Sequence, residues 1–598
     1  MVRLWSWERW CETDGERQRG MKKVFITGPT VFFVLLTIWQ GGYSSVAWCL
    51  TGVALCLYFL FKPCALHSKT PLFIMLGLAA CYALSTVLSG NHAEGYLGII
   101  KVIVFILCYL YVTNARPNIE NAVYWAGLVV AVIGLLSFCG ILPWSGATVQ
   151  GRLFSVFQYA NGAGIFLAVC AFFTRLASKK SDNKTDPAVV IMETALLLTQ
   201  SVGGLALYII GWIIYSIAKK ENIARHLCGF LLAAVMAAGM LYLAQYTTLP
   251  YLAVLIPVAY FALNKITDKG IQIIARQKWI VWGMVALIAA AGTGLLIARQ
   301  FTPLATFAER LVQITDGFNA MLRHPIGLGP GAWAFTMRSF QTYNYTATLV
   351  HSGYVHIGLA GGFLGLGCVI ALLVYCFRRW RPDKYGIAAL ILLIHVFMDF
   401  SLAFLSLSVL LLSVCAAFVG NEPKKVVKRG WWQALFIVPL IACVLLYVPE
   451  TVKNRARRHL GEGDHAAAIS TLEKGFLLPN DTQATLLTIR VAVAAGDHNA
   501  ADEAYARMRP QNAEAHYWMA LSCANRGDYD QAVEYALNCA INAPFWEGGQ
   551  NYLSQVILPA LSQQNRDDFL ARLEAIKLSA QQNAHPLSQV IMKGYQLQ

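Results

Sequence analysis

Between Arg310 and Gly367 the chain gathers three arginines (Arg310, Arg323, Arg338), three histidines (His324, His351, His356) and a Gly-Pro-Gly turn at 329–331. A guanidinium offers forked donors suited to phosphate. An imidazole at a membrane boundary can accept a proton near neutral pH. The two residue types thus offer anion binding and proton acceptance. Arg310 and Asp316 are six residues apart, on different faces of one expected helix, so they need not pair. His324-Pro325 opens a turn, and Gly327, Gly329 and Gly331 let the backbone bend tightly. No Gly-Lys-Ser/Thr follows, which excludes a nucleotide phosphate loop. His351 stands at the start of an apolar run, with Tyr354 about one turn on.

Further candidates lie outside this stretch. Arg152 precedes an apolar run in GRLFSVFQYANGAG, and Asn161 is a polar residue near the start of that run. His395 and Asp399 are four apart, which predicts a shared face on one helix. An acid inside a membrane span is a functional candidate by default. Structural alternatives stay open at this point: snorkelling for Arg152, a solvated loop helix for Arg310, and a helix-capping role for His351.

The elements that must position these groups are membrane spans. Of 598 residues, 57% are hydrophobic and 13% charged, and mean hydropathy is +0.52. Soluble domains carry about 25% charged residues, so the composition reads as a polytopic membrane protein. Apolar runs near 24–40, 43–61, 71–89, 97–112, 121–142, 158–176, 188–218, 227–245, 249–263, 279–298, 352–376, 387–402, 404–420 and 431–450 are candidate spans. The first 450 residues hold 34 basic against 17 acidic residues. Much of that excess falls in short loops, among them 62–69, 113–120, 175–184, 219–225, 264–278, 377–384 and 424–429. That is a positive-inside signature, not a nucleic-acid footprint. Both ends of the 188–218 run are then cytoplasmic, so it must be a hairpin with Ser201-Val202-Gly203-Gly204 at its outer tip. The run 387–420 splits by the same logic. The count comes to about 15 spans. The segment 1–23 is then cytoplasmic, 299–351 an outer loop and the C-terminus outside. The 15 cysteines mostly sit in apolar runs as small hydrophobes, with no CxxC or zinc-ligand spacing.

Beyond Glu450 the composition changes. Residues 451–598 carry 13 basic and 15 acidic residues. Gly463-Asp464, Gly496-Asp497 and Gly527-Asp528 recur at steps of 33 and 31, each followed by a helical pattern. This resembles the tetratricopeptide repeat. It implies an extracytoplasmic α-solenoid over 451–598 that binds a protein or acceptor partner.

The pattern Arg310…Asp316…His324-Pro325-Ile326-Gly327-Leu328-Gly329-Pro330-Gly331, then His351-Ser352-Gly353-Tyr354, then Gly362-Phe363-Leu364-Gly365, resembles the O-antigen ligase/polymerase superfamily. Arg152 to Asn161 and the late His395–Phe400 (HVFMDF) resemble that family's segments in the same order. The resemblance covers roughly 24–420. It implies an all-α, GT-C-like fold and transfer of a glycan from an undecaprenyl-pyrophosphate carrier to an acceptor hydroxyl, with no metal or other cofactor. His351 would be the base, and Arg310 would stabilise the leaving pyrophosphate. Arg152, Asn161, Arg323, His324, Tyr354 and Asp399 would bind substrate. Ser201-Val202-Gly203 stands where the family usually has Ser-Arg-Gly, and Ser352 where it has Asn. A catalytically lapsed relative, binding lipid-linked glycan or scaffolding envelope assembly through its repeats, is the alternative.

Overall fold

The computed structural model describes residues 27–596. It leaves out 63, 67, 91, 116–117, 179–185, 221–223, 247–248, 420–424, 427–429, 509–510 and all but four positions between 276 and 301. The expected cytoplasmic segment 1–23 and most of the run 279–298 lie outside the described residues.

The membrane part begins with α1 (Gly28–Ile38), α2 (Ser45–Phe61), α3 (Lys69–Ser89), α4 (His92–Ala115) and α5 (Ile119–Phe138). It continues with α6 (Ala160–Ser178), α7 (Pro187–Thr199), α8 (Val202–Lys219), α9 (Ala224–Tyr246) and α10 (Leu255–Ala275). After α11 (Thr302–Arg323) come α12 (Gly353–Phe377), α13 (Lys384–Met398), α14 (Leu405–Val419) and α15 (Ile437–Gly461). Among the described residues, seven helices are long and apolar enough to cross a membrane, and seven further apolar helices of this part are shorter. The protein is thus an all-helical membrane protein, apart from two tiny antiparallel ladders. One joins Ala65–Leu66 to Lys425–Val426; the other joins Thr148–Val149 to Arg152–Leu153.

Two bundles share one helix. The first packs α5, α6, α7, α8 and α13 around α6, whose Ile165–Phe173 stretch is buried on every face. A sequence apolar all round suits either a bundle centre or lipid, and packing on every side places this stretch at the centre. The second packs α2, α3, α4 and α15. Helix α14 lies between them, giving Leu407, Leu410 and Val414 to the first core and Leu405 and Leu412 to the second.

The 188–218 run breaks where expected. Thr199 ends α7, Gln200 turns with φ 52°, and the Ser201 hydroxyl accepts from Gly204 N–H to start α8. The 387–420 run also breaks, at 399–404. Arg175 was expected in a basic loop, but it lies within α6, buried and bidentate on Glu193, which also accepts from the Tyr208 hydroxyl. A guanidinium held this way is satisfied in apolar surroundings and packs two helices together rather than marking solvent.

The compositional change at Glu450 falls inside α15, which runs on without interruption to Gly461. After it come α16 (His465–Lys474), α17 (Thr482–Ala495), α18 (His498–Arg507), α19 (Ala513–Asn525) and α20 (Tyr529–Asn542). The chain ends with α21 (Glu547–Ile557), α22 (Gln563–Gln582) and α23 (Ser588–Gln596). The three Gly-Asp pairs do one job. Gly463, Gly496 and Gly527 have φ of 78°, 77° and 82°, a left-handed conformation that L side chains resist. Asp464, Asp497 and Asp528 then cap α16, α18 and α20 through the N–H of Ala467, Ala500 and Gln531.

This helical region rests on the membrane part. Lys453 is buried between Glu450 (2.6 Å) and Asp481 (2.8 Å), and Glu94 of α4 accepts from Gln483 N–H at 2.9 Å. At the far end Ile591 of α23 packs against Ala308 and Val312 of α11.

Candidate functional site

The site is organised around Asp399. Helix α13 stops at Met398, and Asp399 follows in extended backbone (φ −158°, ψ 160°) with its side chain fully buried. Its carbonyl accepts from Gly353 N–H at 3.1 Å, tying the end of α13 to the start of α12. The expected shared helical face of His395 and Asp399 is therefore not formed. His395 pairs instead with the Ser401 hydroxyl at 2.6 Å. The sequence spacing is helical, but the chain leaves the helix one residue too early.

Four polar groups converge on the Asp399 carboxylate. Tyr159 donates its hydroxyl to Oδ2 at 2.7 Å, and Asn161 donates its amide at 3.3 Å. Arg310 Nη2 lies at 3.5 Å, while its Nη1 donates to the Met398 carbonyl at 3.0 Å. His351 Nδ1 lies at 4.0 Å from the same oxygen. The second carboxylate oxygen is buried with no hydrogen-bond partner among the described residues. Three segments far apart in the sequence supply these groups: the start of α6, helix α11, and the turn before α12. His351 and Arg310 are partly open, with 23% and 19% of their side chains exposed, so both can meet a substrate.

His351 is held through its backbone and its ring. Its backbone N–H donates to Gln313 Oε1 at 3.3 Å, and its ring leans on Phe400 with centroids 5.0 Å apart. Phe400 in turn stacks on Tyr159 at 4.8 Å. Burial lowers the His351 pKa from its usual value to about 4; the Asp399 carboxylate pulls it up and Arg310 pushes it down. The ring is neutral at physiological pH, which leaves one ring nitrogen able to accept a proton. Arg310 and Asp316 face different ways, as their spacing predicts. Asp316 accepts from Thr342 and from the Tyr345 hydroxyl (3.0 Å), and burial raises its pKa.

Arg152 joins through the hairpin tip. The Gln150-Gly151 turn, both at positive φ, is the primed geometry that suits a two-residue hairpin. It leaves Arg152 Nε donating to the Thr199 carbonyl at 3.2 Å. Ser201, two residues on, donates to Asn161 Oδ1 at 3.1 Å. One hydrogen-bonded path thus runs from Asp399 through Asn161 to the tip that also holds Arg152. Val202 is the exposed side chain there (54%), next to the exposed Gly203.

Other candidates from the sequence lie elsewhere. Arg323 and His324 occupy the opposite end of α11 from Arg310, about 20 Å away at 1.5 Å per residue. Tyr354 lies on α12 but gives its hydroxyl to the Leu393 carbonyl at 2.8 Å, so it fixes α12 against α13. Sequence reasoning missed Tyr159, Gln313 and Phe400. Tyr159 had one available signal, its place two residues before Asn161 at the mouth of a span.

The glycine-rich turn fixes the frame of the site. Helix α12 is broken at Gly362 (φ 68°, ψ −167°), and the 325–328 turn fills the break. Phe363 N–H donates to the Pro325 carbonyl (2.9 Å), and Leu328 N–H to the Leu359 carbonyl (2.7 Å). A Cβ at Gly362 would meet the Pro325 oxygen at 2.3 Å, so only glycine fits.

Among the described residues no cluster of three or more His, Cys, Asp and Glu side chains could hold a metal ion. Compared with known proteins, the chain matches no family model, no curated protein and no solved structure.

Proposed function

We propose that this chain is a membrane glycosyltransferase of the GT-C type, a glycan ligase or polymerase of the O-antigen superfamily. It would move a glycan from an undecaprenyl-pyrophosphate carrier to an acceptor hydroxyl on the outer side of the cytoplasmic membrane. One observation carries the reading: His351 and Arg310 face a single buried carboxylate at 4.0 and 3.5 Å, beside a second arginine linked through Asn161 and Ser201. A neutral base next to clustered cations suits attack by a hydroxyl with departure of an anion.

In this reading His351 Nε2 takes the acceptor hydroxyl proton as the new C1–O bond forms. Asp399 stabilises the resulting imidazolium. The C1–O bond to pyrophosphate breaks, its electron pair leaves with the phosphate, and Arg310 and Arg152 balance the growing negative charge. No cofactor enters the step. The C-terminal helix pairs, read as a tetratricopeptide-like solenoid outside the membrane, would hold a protein or acceptor partner. The second reading, a catalytically lapsed relative that binds lipid-linked glycan or scaffolds envelope assembly, draws support from Val202. An apolar side chain there occupies the exposed hairpin tip where a guanidinium would face the donor.

His351→Ala and Arg310→Ala should each lower transfer from a lipid-linked donor in proteoliposomes by about 100-fold or more, with membrane insertion unchanged. Full transfer by both variants would overturn the enzyme reading.

A further inference from the structure

At the end of α11 remote from Asp399, a cavity of about 560 Å³ opens between the outer loop and the C-terminal helices. That volume is in the range of small-molecule sites, about 300–1,000 Å³. Its outer-loop wall carries Arg323, His324, Phe335 and Phe340; its other wall carries Gln511 and Asn542. None of the lining residues is Asp or Glu. Arg323 lies over the Phe340 ring at 6.0 Å, and His324 meets the same ring edge-on at 5.8 Å. No salt bridge occupies Arg323 among the described residues. Asn542 Nδ2 is taken by the Asn538 carbonyl, which leaves its carbonyl oxygen as an acceptor.

We propose that this cavity binds an acidic oligosaccharide. The Arg323 guanidinium receives a sugar carboxylate in forked geometry. The exposed parts of the Phe335 and Phe340 rings border the apolar sides of the sugar rings, and the amides of Gln511 and Asn542 bond the hydroxyls. Neither half of the molecule makes the site alone. Phe335 is packed into the C-terminal helices, and Arg338 stacks on Trp546 at 3.9 Å, so the helical region builds one wall. The place of this site in the reaction rests on the glycosyltransferase reading: it holds the acceptor or growing chain about 20 Å along α11 from Arg310, the reach of a short oligosaccharide.

Binding can be measured without turnover. The full chain in zwitterionic nanodiscs is titrated calorimetrically with a galacturonate tetramer and with maltotetraose. The acidic tetramer should bind more tightly by about tenfold or more, and Arg323→Ala should weaken it by about 10–100-fold, the worth of one charge-assisted bond. Asn542→Ala should weaken both sugars, while Asp399→Asn should bind as wild type. Equal affinity for the two sugars, no binding of the acidic one, or no effect of Arg323→Ala would overturn the proposal. So would competition by phosphatidylglycerol in the nanodisc, which would assign the cavity to lipid headgroups. If Asp399→Asn kept full transfer while Arg323→Ala lost binding, the transferase mechanism would fall and the oligosaccharide site would stand.

Discussion

Asp399→Asn is the sharpest probe of the site, because it keeps shape and removes charge. In the native protein the carboxylate receives Tyr159 at 2.7 Å and Asn161 at 3.3 Å, with Arg310 at 3.5 Å and His351 at 4.0 Å. An amide turned to keep its oxygen toward the donors loses the charge assistance of these bonds, about 1.5–3 kcal/mol. It also stops stabilising the imidazolium that forms during proton transfer. Two unit charges at 4 Å interact by about 4 kcal/mol at an effective dielectric constant of about 20, and solvent reaching the partly exposed His351 brings this to about 2. Together these losses, about 3.5–5 kcal/mol, should lower transfer by about 400–5,000-fold at a tenfold loss per 1.36 kcal/mol. The assay is single-turnover transfer from a polyprenyl-pyrophosphate glycan in proteoliposomes, with a thermal melt run alongside to separate unfolding from lost chemistry. The pH profile adds an independent check. Wild-type kcat/KM should be full above, and lost as pH falls through, about 4, where His351 protonates, instead of near its ordinary 6.5. Because Asp399 raises the His351 pKa and Arg310 lowers it, Asp399→Asn should move that acid limb lower. A wild-type rate together with an unmoved acid limb would refute the assignment of His351 as a base tuned by Asp399.

Val202→Arg restores a guanidinium to the exposed hairpin tip beside Arg152 and should leave the fold intact. A rise in transfer of about tenfold or more is expected if pyrophosphate binding limits the rate, and unchanged transfer would show that the tip does not face the donor. Gly362→Ala forces a side chain onto the Pro325 carbonyl in a backbone region nearly closed to L residues. It should cost about 2–3 kcal/mol, seen as a lowered melting temperature and faster exchange of the Leu328 and Phe363 amides; an unchanged melt would contradict the plug geometry. Lys453→Met leaves the Glu450 and Asp481 carboxylates buried without their cation, a loss of about 3–5 kcal/mol. Limited proteolysis should then release the C-terminal helices sooner than in wild type, and equal resistance would argue against this cluster as the anchor.

Much of the architecture was legible in the residues because it depends on local chemistry. Apolar runs of span length cannot sit in water, and the break at Gln200-Ser201 followed from basic charge at both ends of a run too long for one helix. The Gly-Asp pairs read directly as helix stops and starts, since a left-handed glycine and a capping aspartate need no distant partner. His351 and Asn161 were nameable as polar groups near the starts of apolar runs, Asp399 as an acid inside one, and Arg310 as a cation in the long polar break.

Their meeting was not legible. His395 and Asp399 have helical spacing, yet the helix ends at Met398 because Asp399 is drawn into extended backbone by Gly353, Tyr159 and Asn161. Arg310 and Arg323 look equivalent on one helix, but one reaches Asp399 and the other a cavity walled by residues some 200 positions later in the chain. Arg175 reads as one more basic loop residue until Glu193 is found against it. The sequence by itself determined which segments are apolar and long enough to be candidate spans, and which side chains had chemistry to offer. Only the tertiary structure decided which of them share a carboxylate, because that depends on packing between helices hundreds of residues apart, which no local pattern encodes.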